Sequence, residues 1–232
     1  MSLILNIESA TDICSIAISR DKEILALREI EGNSHAEKMT LLINECLDAS
    51  GLKINDLDAV AISNGPGSYT SLRIGASTAK GICYATDLPL IAVDTLESLA
   101  MAAYNEVKDD DALYCPMIDA RRMEVYTTLY QYSKETGGFE IVEPMSPKII
   151  DEDSYADYFE KNQKIIFCGN GAPKCQEFIQ NKNTLFLSIL CSARYLILLS
   201  YKNNLNEIFV DVAYHTPQYL KAPNITKSKE RL

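Results

Sequence analysis

Ser68, Thr70, Ser71 and Arg73 follow directly on Gly65-Pro66-Gly67 within the run Asn64–Gly75, NGPGSYTSLRIG. Gly65 and Gly67 can take backbone angles closed to other residues, and Pro66 stiffens the turn between them. The run follows the apolar stretch Leu57–Ile62 and leads into a helix expected over Ser71–Ala85. A strand that ends in such a loop at a helix N-terminus offers free N–H groups suited to an anion. Two readings follow: a phosphate grip, or the edge of a docking site. The second draws on the helix, where Gly75, Ala76, Ala79, Gly81 and Ala85 leave little side chain to fill a core and suit a close-packed partner helix.

Arg73 would lie in the first helical turn, where a cation opposes the helix dipole. Helix stability alone does not call for it there, so it is a candidate to hold an anion or a partner's carboxylate. Glu8 and Asp12 bracket the turn after the first apolar run. They could hold a hydrated Mg²⁺; the simpler reading is that they cap the turn. That turn contains no glycine, which makes a backbone phosphate grip there harder to build. The hydroxyls of Ser68, Thr70 and Ser71 have no G-x-S-x-G elbow around them and are expected to cap the helix rather than attack a substrate. The two histidines, His35 and His215, are far apart, so no paired-His helix exists and no metal site is expected.

The 232 residues carry 22 Lys and Arg against 32 Asp and Glu, a net charge of −10. This argues against unaided binding to nucleic acid or to an anionic membrane. Neither a signal segment nor a membrane span is expected; Leu185–Leu199 is too short and carries Arg194. Seven scattered cysteines form no C-x-x-C pair and read as reduced, buried thiols of a cytoplasmic protein.

The elements that must position these groups follow from apolar periodicity. Leu3–Ile7, Cys14–Ser19 and Ile24–Ile30 read as a three-stranded meander. His35–Ser50 has helical spacing, with Met39, Leu42, Ile43 and Cys46 on one face. A strand at Ala59–Ile62, the Ser71–Ala85 helix, a strand at Leu90–Val93 and a helix over Thr95–Val107, started by Asp94, complete a β-β-β-α-β-α-β-α order. The acidic run 109–111 marks a boundary, most simply a solvated turn. The second half restarts with strands at Ala112–Ile118 and Met123–Tyr132, then Glu140–Glu143. A helix at Asp153–Glu160, a strand at Lys164–Cys168, a helix from Pro173 to about Ile179 and a helix over Ser192–Lys202 follow. Two units with the same opening imply duplication, the second copy degenerate.

These motifs resemble one family. Asn64–Gly75 is similar to the G-P-G-S-[FY]-T-x-L-R-[IV]-G signature of the bacterial tRNA threonylcarbamoyladenosine biosynthesis proteins TsaB, also called YeaZ. Ile4–Ile18, the helix from His35, Asp119–Tyr126, Gly169–Ala172 and Pro217–Leu220 resemble further family segments in the right order. The resemblance implies an α/β, actin-like or Hsp70-like (ASKHA) ATPase fold of two lobes, each a mixed sheet flanked by helices, the second reduced. The lobes would be 1–108, joined by 212–232, and 109–211. It implies a non-catalytic scaffold or activator that pairs with the transferase TsaD, together with TsaE, in threonylcarbamoyl modification of the adenosine beside the anticodon of tRNAs reading ANN codons. Contact with tRNA would come only through the complex, and a homodimer is expected in isolation. The partner face would comprise His35, Met39, Leu42, Ile43, Cys46, Ser71, Leu72, Gly75, Ala76 and Ala79. A nucleotide or anion, ATP or ADP with Mg²⁺ at the lobe cleft or the heterodimer interface, would involve Glu8, Asp12, Gly65, Gly67, Arg73, Asp119, Arg121, Gly169 and Gly171. Asp119 and Arg121 could instead form a local ion pair, and the two later glycines could simply serve a βα turn. The competing reading is an independent enzyme of this fold, an ATPase, a sugar-kinase-like protein or an M22-type metallopeptidase. The missing glycines of the first turn and the missing His pair count against it.

Overall fold

The apolar runs build two sheets on one plan. The computed structural model describes residues 1–32 and 35–221, with the backbone alone at His35. In the first sheet β1 (Leu3–Glu8), β2 (Ile13–Arg20) and β3 (Glu23–Glu31) form the antiparallel meander. β4 (Ala59–Ser63) and β5 (Leu90–Val93) add in parallel, giving the order β3-β2-β1-β4-β5. The second sheet repeats it with β6 (Leu113–Asp119), β7 (Glu124–Ser133), β8 (Gly138–Ile149), β9 (Ile165–Cys168) and β10 (Thr184–Phe186), in the order β8-β7-β6-β9-β10. The duplication read from the sequence is present strand for strand, and the fold is the two-lobed actin-like one.

The helices sit where the repeats require them. α1 (His35–Ser50) and α2 (Tyr69–Thr86) cover one face of the first sheet; α4 (Ala156–Glu160) and α5 (Ala172–Cys175) cover the corresponding face of the second. α3 (Thr95–Val107) packs Leu96, Leu99, Ala100 and Ala103 onto Tyr114, Ile118 and Ile166 of the second sheet. α6 (Ala193–Leu205) packs Leu196 and Leu199 onto Ile4, Ala59, Ala61 and Ile91 of the first. Strands covered on both faces are buried nearly end to end, which is why β1 and β4 show no alternation. The helices are exchanged between repeats, so a boundary at 108/109 divides the sequence but not the two cores. The acidic run there is tied down: Asp109 pairs with Lys164 at 2.9 Å and Asp110 with Lys134 at 2.5 Å.

The second lobe is reduced in its helices and keeps its full sheet. β8 runs to Ile149 rather than stopping at Glu143. Pro144 and Pro147 look like breakers, but β8 is an outer strand, where a missing donor costs no ladder bond. β10 is an addition to the expected strands: its three half-buried residues give too short a pattern to read. α4 and α5 are shorter than their apolar spacing implies.

Candidate functional site

The loop after β4 is closed upon its own chain. Asn64 N–H donates to Val93 O at 2.7 Å, Gly65 N–H to Thr95 Oγ1 at 3.1 Å and Ser68 N–H to Ala10 O at 2.7 Å. A Cβ at Gly67 would collide with Ala10 O, and one at Gly65, whose φ is +98°, would lie 2.7 Å from Gln218 O. The glycines are needed because the β1–β2 turn and the C-terminal segment press on the loop. Three of the loop's N–H donors, those of Asn64, Gly65 and Ser68, are therefore spent inside the protein. Ser68 caps α2, its Oγ accepting from Ser71 N–H at 3.4 Å.

Glu8 turns inward. It is fully buried, its Oε1 accepts from Ala10 N–H at 2.6 Å, and its Oε2 has no partner among the described residues. Burial pushes its carboxyl up to about 7. Asp12, at the other end of the turn, is exposed. Among the described residues no group of three His, Cys, Asp or Glu is placed to hold a metal ion. All seven cysteines are buried and free, and burial raises thiols such as Cys14 and Cys115 to about 11.

The expected partner face needs correction. Met39, Leu42, Ile43 and Cys46 of α1 are buried with Leu5, Ile7, Ile16 and Ile18 in the first lobe's own core. Leu72, Gly75, Ala76 and Ala79 of α2 are also buried. A Cβ at Gly75 would collide with Ser9 Oγ, so that small residue lets α2 sit close to β1 rather than to another chain. A tryptophan at Ala79 would break the core, not block a partner. Ser71 is half-buried, with its hydroxyl on Ser68 Oγ at 3.0 Å. The side chain of His35 lies outside the described residues.

The opposite side of the same helices is bare. Thr70, Arg73, Ser77, Gly81 and Tyr84 form one exposed stripe on α2, and Tyr84 is 86% exposed. Leu41 on the adjoining α1 is 54% exposed. Gly81 has nothing within 4 Å of where a Cβ would be. A mid-helix glycine costs about 1 kcal/mol against alanine, and nothing among the described residues requires one there. Leu41 and Tyr84 are missing from the expected face because that expectation takes the apolar face of each helix as the outward one; an apolar residue out of phase with that face is the signal that could have found them.

The C-terminal segment 210–221 straps this helix. Val210 N–H donates to Leu90 O at 2.9 Å on the edge of β5, and Lys80 Nζ donates to Ala213 O at 2.9 Å and His215 O at 3.1 Å. Gln218 N–H meets Asn64 O at 2.7 Å. The Tyr219 ring lies 4.7 Å from that of Tyr69. The Arg73 guanidinium sits 4.3 Å over Tyr69, and its Nε donates to Tyr219 Oη at 3.3 Å. Lys221 then reaches Glu124 of the second lobe at 2.5 Å. His215 buries an Nε2 that has no partner among the described residues, and burial together with Lys80 holds its pKa below the ordinary value. The further basic residues Lys227, Lys229 and Arg231 lie outside the described residues.

In the second lobe Asp119 does not pair with the Arg121 side chain. Its Oδ1 accepts the Arg121 backbone N–H at 2.9 Å, and its ion pair is with Lys174. Arg121 and Arg122 are exposed at φ of +71° and +52°. Gly169, at φ +92°, leaves no room for a Cβ beside Met117 O, and a Cβ at Gly171 would lie 2.9 Å from Val125. Both glycines answer to the packing of the βα turn itself.

Residues 27–230 match the model of the family described as TsaD, tRNA N6-adenosine threonylcarbamoyltransferase. The chain is 35% identical over 152 residues to the tRNA threonylcarbamoyladenosine biosynthesis protein TsaB of Escherichia coli, covering 64% of each chain. It is 31% identical over 180 residues to the TsaB of Bacillus subtilis, covering 77% of this chain and 75% of that one. The structure of YeaZ from Pseudomonas aeruginosa superposes with a TM-score of 0.81 at 26% identity, covering 95% of this chain and all of the other. The chain spans under two thirds of the E. coli relative's length.

Proposed function

Because the chain belongs to the TsaD family and, within it, to the TsaB group, we propose that it serves tRNA threonylcarbamoyladenosine biosynthesis as an accessory subunit. Its outer α1–α2 face docks onto a TsaD-type transferase, and TsaE joins the pair. The observation that carries this reading is the exposed stripe of α2, in which Thr70, Ser77 and Gly81 are small and Tyr84 is bare, with Leu41 also exposed on the adjoining α1. An exposed Tyr84 one turn from an unfilled mid-helix glycine fits a close-approaching helix better than it fits water. In isolation a second copy covers the same face.

The chain itself is non-catalytic on this reading. Its two histidines lie on α1 and in the strap, so no helix carries a pair that could share a metal. Nucleotide belongs at the heterodimer interface rather than in the loop after β4, where the N–H groups of Asn64, Gly65 and Ser68 are already bonded. We assign the protein to the cytoplasm, in keeping with seven free, buried thiols. No helix among the described residues is long and apolar enough to cross a membrane.

Reconstitution with the TsaD and TsaE of the same host tests the proposal. Leaving this chain out should abolish threonylcarbamoylation of tRNA or reduce it at least tenfold; full modification without it overturns the subunit role. Gly81→Trp should weaken pairing with TsaD at least tenfold while the circular-dichroism melt of the isolated chain stays within a few degrees.

A further inference from the structure

We infer that Arg73 is the residue through which the docking face recognises a carboxylate on the protein that covers it, an inference that rests on the pairing proposed above. Arg73 is exposed on the outward stripe of α2, between Thr70 and Ser77. Its guanidinium is held from two sides. The Tyr69 ring lies 4.3 Å beneath it, the Tyr219 ring 5.9 Å away, and Nε donates to Tyr219 Oη at 3.3 Å. Of five N–H donors, only that one has an acceptor among the described residues. The four on the two terminal nitrogens form an outward fork with its plane fixed by aromatic contact. A planar fork takes a carboxylate through two parallel hydrogen bonds.

The surroundings favour a carboxylate over a phosphate. The N–H groups of Asn64, Gly65 and Ser68, which would share a phosphate's charge, are bonded within the chain. Lys80, on the same helix, is committed to the carbonyls of Ala213 and His215. With Lys80 so committed, one pre-oriented guanidinium matches a single Asp or Glu side chain. Tyr219 is then a positioning residue. It comes from the C-terminal strap, which thereby takes part in partner recognition through Arg73.

The test is titration calorimetry of the full chain against the TsaD of its host in nucleotide-free buffer. Arg73→Ala should raise Kd on the order of tenfold to a hundredfold, as expected for a charge-assisted pair. Arg73→Lys should restore only part of the loss, because an ammonium lacks the fork. Tyr219→Phe, which keeps the ring and removes the acceptor, should raise Kd a few-fold. The salt dependence of Kd should flatten in Arg73→Ala relative to wild type. Binding of Arg73→Ala as tight as wild type overturns the inference and leaves the pairing standing. A defect that emerges only after ATP is added also overturns it, assigning the guanidinium to a phosphate. Failure of the wild-type chain to bind TsaD overturns both. Because Arg73 is exposed, an unchanged melt of the variant should separate recognition from folding.

Discussion

The two lobes share five strands in one order, yet α1 and α2 have 16 and 18 residues where α4 and α5 have 5 and 4. The sheets can be kept while the helices diverge because register is fixed by strand pairing, not by the crossover that joins the strands. A four-residue turn can only cap a sheet. A helix of several turns has a second face, and only the first lobe has such faces to offer. The corresponding hairpin turns differ in the same way. Glu8 folds inward under the loop after β4, while Asp119, Arg121 and Arg122 stay exposed around the Asp119–Lys174 pair. One repeat is closed at its turn and covers its sheet with two long helices; the other is open at its turn and has two short ones in their place.

Three variants press on that asymmetry. The largest effect should come from Ala79→Trp, which forces an indole between α2 and its own sheet. It should destabilise the isolated chain by about 3 kcal/mol, measured by urea denaturation; a stable variant would mean that the inner face is not the packed one. Glu8→Gln should come next and depend on pH. Burial lifts the Glu8 carboxyl from 4.5 to about 7, so the folded chain keeps a proton that the unfolded chain releases. The stabilisation is full below about 4.5 and lost as pH rises through about 7. Glu8→Gln should therefore match wild type near pH 5 and exceed it by about 2 kcal/mol at pH 8; equal melts at both values would contradict the closed turn. Gly81→Ala should have the smallest effect, a gain of about 0.5–1 kcal/mol in the isolated chain. A loss there would mean that the outer stripe is occupied by the chain itself.

Much of this architecture is legible in the amino-acid sequence. The β-β-β-α-β-α-β-α order and the repeat follow from periodicity, and α1, β5 and α3 fall on the expected residues. Asp94 does cap α3, accepting from Leu96 and Glu97 N–H at 2.8 and 3.1 Å. The orientation of helix faces is not legible there. Small residues on α2 look alike whether they admit a partner or a neighbouring strand, and only the collision of a Gly75 Cβ with Ser9 decides it. The function of Gly65 and Gly67 is hidden for a related reason. What presses on them, Ala10 and Gln218, is distant in sequence. The exchange of α3 and α6 between repeats is equally invisible, since each helix follows its own repeat along the chain.

That exchange bears on how the protein can be made. During synthesis the strands β1 to β5 emerge well before α6, the helix that covers one face of their sheet. Until the second repeat has left the ribosome, Ile4, Ala59, Ala61 and Ile91 lack the cover of Leu196 and Leu199, and the nascent first lobe cannot complete its core. Long-range contacts of this kind delay folding until the distant segment arrives. The two repeats, independent as sequence, must therefore fold as a single cooperative unit, and a nascent chain stalled between them is a species for chaperones to hold.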